Sequence, residues 1–226
     1  MRILRNAAAI LFMLALAPGA GCSGGFAPAS PAIEPSITHT PAPTQMPGPT
    51  GPSHFTTYTD EGGIFSISYP QDWEAPLWML EDITESTVAV LESIQSGLPL
   101  EEVSILFFAG LPMADGWDPN VTVVVEPVPA GTFDLEHAVD ASVRGIKLFS
   151  PDYNELSREN TSVSGRDATI LEFTASMDPT GKGRFRQMFM LQENVIWGLS
   201  CTTEPAKFNL YDDTFNNILQ SFRLLR

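Results

Sequence analysis

Three groups of side chains in this sequence have types and spacings that can do chemistry. His137 has Asp134 and Asp140 three residues away on either side, the spacing at which helical side chains meet and a carboxylate can orient an imidazole base. No nucleophile is fixed beside His137, and this face lies opposite the apolar stripe, so a solvated charged face is the better reading. In MADGWDPNV, Asp115, Asp118 and Asn120 offer the hard oxygen ligands that Ca²⁺ prefers. The stretch lacks the twelve-residue loop spacing and its closing Glu, and a plain turn would use the same residues. Arg184 and Arg186 fall on one strand face, where they can receive a ligand carboxylate or simply balance charge at a sheet edge. Trp78 and Trp117 stand in irregular stretches, either as binding platforms or as caps on the core. HExxH, paired CxxC, glycine-rich phosphate-loop and GxSxG patterns are missing, so no catalytic residue and no cofactor is expected.

The two cysteines point in different directions. Arg2 and Arg5 precede the apolar run Ala7 to Ala17, which ends at Pro18 and Gly19. That run covers only about half of a ~30 Å hydrocarbon core, so it reads as an export signal rather than a permanent span. Gly19, Ala20 and Gly21 before Cys22 resemble the cleavage box of bacterial lipoproteins, which implies a signal peptide over residues 1–22 and a lipid on Cys22. Gly19 departs from that pattern, which usually has an aliphatic residue there, and cleavage near Ala20 would give a secreted protein instead. Cys201 alternates with Val195, Trp197 and Leu199 and is expected to be a small buried hydrophobe.

Residues 23–54 hold eight prolines and a single charged side chain, Glu34, the composition of a solvated tether with polyproline II character. Against 27 acidic residues stand 12 basic ones, and loss of Arg2 and Arg5 with the leader takes the formal net charge from -15 to -17. Such a surface repels phosphate backbones and anionic headgroups, which disfavours nucleic acid and direct lipid-surface binding. The acidity also keeps an exposed protein soluble.

The elements that must position these side chains belong to one domain, residues 55–226. Strands are expected over Ile64 to Tyr69, Ser86 to Leu91, Val103 to Phe108 and Val121 to Glu126, the last apolar enough to be buried on both faces. A helix follows from Phe133 to Lys147, with Leu135, Val139, Val143 and Ile146 on its apolar face and Thr132 or Asp134 as cap. Two hairpins come next, Leu156 to Val163 with Arg166 to Ser176 and Arg184 to Gln192 with Val195 to Thr203, making four antiparallel neighbours. A closing helix after Pro205 carries Phe208, Tyr211, Phe215, Ile218 and Phe222 on one face.

This order predicts an α+β domain with an antiparallel sheet flanked by helices. FSISYPQDWE, SVSGRDATILEF, RFRQMFML, VIWGLSCTT and FNNILQSFRL, in that order, resemble the PsbP-like α/β/α sandwich superfamily over Phe65 to Leu224. The resemblance implies architecture. Members range from photosystem accessory subunits to Ran-binding proteins and bacterial lipoproteins of unknown role, so it transfers no site residue. The function expected is a lipid-anchored, non-catalytic accessory or binding module outside the cytoplasm, monomeric, meeting an unknown protein or small ligand. An envelope hydrolase with a dispersed site, or a Ca²⁺-dependent binding domain, are the alternatives.

Overall fold

The computed structural model describes residues 54–81, 84, 104–111, 118–128, 134–177 and 181–226. The leader, Cys22, most of the tether, Asp115, Trp117 and the strand expected over Ser86 to Leu91 lie outside the described residues.

Six antiparallel strands form the central sheet: β3 (Ser104–Gly110), β4 (Asn120–Pro127), β5 (Asn154–Val163), β6 (Arg166–Met177), β7 (Gly181–Gln192) and β8 (Val195–Thr203), in the order β3-β4-β8-β7-β6-β5. The four strands of the two hairpins are neighbours, as their pattern implies. Each hairpin closes on two residues with positive φ, Ser164 and Gly165 in one and Glu193 and Asn194 in the other. Such turns match the right-handed twist of the strands they join. VTVVVE lies between β3 and β8 and is buried on both faces but for Val125.

A second sheet was not legible in the strand pattern. β1 (Phe55–Thr59), β2 (Phe65–Pro70) and β9 (Arg223–Leu224) form three antiparallel strands, so the chain returns as strand just past Phe222, the last residue placed on the closing helix's apolar face. The closing helix also starts later than Pro205 suggests. A 3-10 turn at Phe208–Leu210 precedes helix α2, Asp212–Ser221.

Residues paired in register share a face, so the central sheet has two sides of different character. On the inner side, Phe107, Val121, Val123, Leu199, Cys201, Met188 and Met190 form one core with Phe65 and Ile67 of the small sheet and Phe215, Ile218 and Leu219 of α2. Full burial contributes about 1.5–3 kcal/mol for each large apolar side chain. Helix α1 (Leu135–Phe149) packs on the outer side against β6 and β7, burying Val139, Val143 and Ile146. Beside Phe108, Val124, Phe185, Phe189 and Phe173, that outer side also buries Asn120, Thr122, Glu126, Gln187, Ser200 and Thr202.

Candidate functional site

The sequence-singled arginines sit on β7, an interior strand rather than a sheet edge. β6 and β7 pair Glu172 opposite Arg186, which places its carboxylate between both guanidiniums. Glu172 Oε1 accepts from Arg184 Nε at 2.9 Å and also from its Nη2, while Glu172 Oε2 accepts from Arg186 Nε at 3.1 Å and Nη2 at 2.6 Å. Arg186 Nη2 reaches on to Asp212 Oδ1 at 2.7 Å in the first turn of α2, and its Nη1 donates to Asn216 Oδ1 at 2.9 Å. Both guanidiniums lie over the Phe208 ring, at 4.3 and 5.1 Å from its centroid. Two cations and two carboxylates therefore balance, and the cluster ties α2 to the inner face of the sheet. Bidentate geometry and burial of the charged atoms make this a costly arrangement to break.

Asp118 and Asn120 make different side-chain contacts. Asp118 Oδ1 stands 4.0 Å from Lys207 Nζ, which also meets Glu204 at 3.4 Å. Asn120 instead heads β4, its Nδ2 donating to the Asp118 carbonyl at 3.0 Å, with its side chain on the outer face. Among the described residues no three His, Cys, Asp or Glu side chains are grouped to hold a metal ion.

His137 is an exposed partner of its own helix cap. Asp134 Oδ1 accepts from the His137 backbone N–H at 2.8 Å and lies 2.7 Å from its Nδ1. These bonds, the backbone one foremost, hold the Asp134 carboxyl below its ordinary range. Asp140, its expected second neighbour, is engaged by Arg158 at 2.6 Å. Trp78, in the 3-10 turn Leu77–Met79, is 81% exposed, which makes it the most exposed of the large apolar side chains described. Trp73 and Trp197 are core residues. Cys201 is fully buried, and desolvation pushes its thiol far above its ordinary value, away from the reactive thiolate.

A second constellation went unnoticed in the sequence. Thr122, Ser200 and Gln187 face one another across β4, β8 and β7, with Asn120 and Thr202 in the next row. Gln187 Nε2 donates to Ser200 Oγ at 3.2 Å, and Thr202 Oγ1 to the Arg184 carbonyl at 3.1 Å. Asn120 Oδ1, Thr122 Oγ1 and Gln187 Oε1 are buried with no hydrogen-bond partner. Left so, each would cost about 1–3 kcal/mol.

Taken together, an antiparallel sheet between a helix layer and a second layer of helix and small sheet is a distinctive arrangement. The fold is PsbP-like. The solution structure of cyanobacterial PsbP from Synechocystis superposes with a TM-score of 0.52 at 13% identity, over 80% of this chain and 98% of that one. LpqN of Mycobacterium tuberculosis gives 0.50 at 11% identity, over 76% and 91%. The Saccharomyces cerevisiae Ran-binding protein Mog1p gives 0.47 at 10% identity, over 76% and 96%. No family model matches the sequence. No curated protein matches it either. At these identities the PsbP-like likeness extends to architecture, and the site residues must be read from this chain alone.

Proposed function

We propose that this chain is a lipid-anchored, non-catalytic accessory or binding module displayed on the outer face of the cell envelope. One observation carries the non-catalytic part: the groups best suited to chemistry serve the fold. His137 is bonded to its helix cap, Cys201 is sealed in the core, and Arg184 and Arg186 grip Glu172. The PsbP-like neighbour LpqN, described as involved in cell envelope biogenesis, is consistent with an envelope setting. The anchor rests on Cys22 and the leader before it, and the proline-rich tether would hold the domain clear of the headgroups. Trp78 is the exposed aromatic best placed to meet a partner.

Two measurements test this. Mass spectrometry of the mature protein should find an acylated Cys22, and Cys22→Ser should move the chain from the membrane to the soluble fraction. A variant that stays membrane-bound would refute the anchor. The non-catalytic claim fails if the purified chain turns over an ester, peptide or glycoside substrate and His137→Ala abolishes that turnover.

A further inference from the structure

We propose that the outer-face row Thr122, Ser200 and Gln187, with Asn120 beside it, is an internal binding site for a small uncharged hydrogen-bond donor. The row crosses three adjacent strands at the middle of the sheet, and its members are 0–3% exposed. Three of its oxygens, Asn120 Oδ1, Thr122 Oγ1 and Gln187 Oε1, lack a hydrogen-bond partner, although buried polar side chains are as a rule satisfied. The inner face of the same strands carries Val121, Val123, Leu199, Cys201 and Met188 at the alternate positions, so a fully apolar solution was available to these strands.

The chemistry of the row defines its occupant. The free groups are two carboxamide oxygens, which only accept, and a hydroxyl, which can accept, so the occupant presents N–H or O–H groups. The four side chains carry no formal charge, and an ion in so enclosed a place would need a counter-charge, so the occupant is neutral. Water and short polyols are small neutral molecules that carry such groups. Both sources share this chemistry, and a site with several polar partners is where an internal molecule becomes part of the structure.

The test uses the full-length chain. Thr122→Val keeps the side-chain shape and removes only the hydroxyl. With a donor bound, Tm should fall by roughly 2–4 °C, the shift that one hydrogen bond makes in a chain of this size. A high-resolution crystal structure should show ordered density within about 3.2 Å of at least two of the three oxygens. Glycerol that raises the wild-type Tm more than that of Thr122→Val identifies an organic hydroxyl compound as the occupant, and an equal effect on both identifies water. Two results overturn the proposal: a Thr122→Val chain as stable as the wild type or more so, or oxygens with no density beside them.

Discussion

The two faces of the central sheet bury polarity in opposite ways. On the inner face, the one deeply buried carboxylate, Glu172, lies against two arginines, and most of the remaining buried surface is apolar. On the outer face a set of neutral side chains is buried, three of whose oxygens have no partner within the chain, together with one carboxylate, Glu126, further along β4. A buried charge such as that of Glu172 is costly to leave alone, and here the fold closes it with two arginines of its own. A neutral amide or hydroxyl costs less, so the fold can carry it for something else to satisfy.

That contrast sets the size of the effects that mutations should have. The largest is expected from Phe215→Ala, which removes a fully buried ring from the inner core and should cost about 3–5 kcal/mol in urea unfolding. A loss below about 1 kcal/mol would mean that the inner face is not the closed core described. Glu172→Ala should follow at about 3 kcal/mol, because it leaves two arginines facing one another without their shared carboxylate. If it were neutral, the cluster would be a surface ion pair and the contrast between faces would weaken.

Smaller effects sharpen the picture at the periphery. Asp152 accepts from the Ser176 and Ser150 hydroxyls and the Ser176 N–H, which hold its carboxyl far below its ordinary range. A depressed folded pKa gives stability that is present above the unfolded value, about 4, and is lost as pH falls through the lower folded value. The drop in Tm from pH 6 to pH 3 should therefore be smaller in Asp152→Asn than in the wild type. An unchanged pH dependence would show that this carboxylate does not hold the segment between α1 and β5 onto β6. Trp78→Ala should change Tm least, within about a degree, because the ring is exposed. A large fall would make Trp78 a core cap rather than a contact residue.

Much of this was legible from the chain, and the omissions have physical reasons. The two-residue turns at Ser164-Gly165 and Glu193-Asn194 fix register, so Val163 pairs with Arg166 and Gln192 with Val195. Counting back from Gln192 and Val195 puts Gln187 opposite Ser200, so that half of the polar row was available from the sequence. Thr122 was not, because β4 and β8 are joined through everything between them in the chain, and local pattern cannot set the register of such a pair. Glu172 escaped for a related reason: the connection from Met177 to Gly181 is not a two-residue turn, so alternation alone could not place the carboxylate opposite Arg186. β9 is two residues long and carries no periodic signal, and the 3-10 turn at Phe208 holds the same apolar spacing that suggested one longer helix.

The central claim is that side chains capable of chemistry are committed to holding the fold, and turnover tests it most directly. Purified full-length protein and its His137→Ala variant should both stay at background on ester, peptide and glycoside substrates. Turnover by the wild type that disappears in His137→Ala would contradict the account.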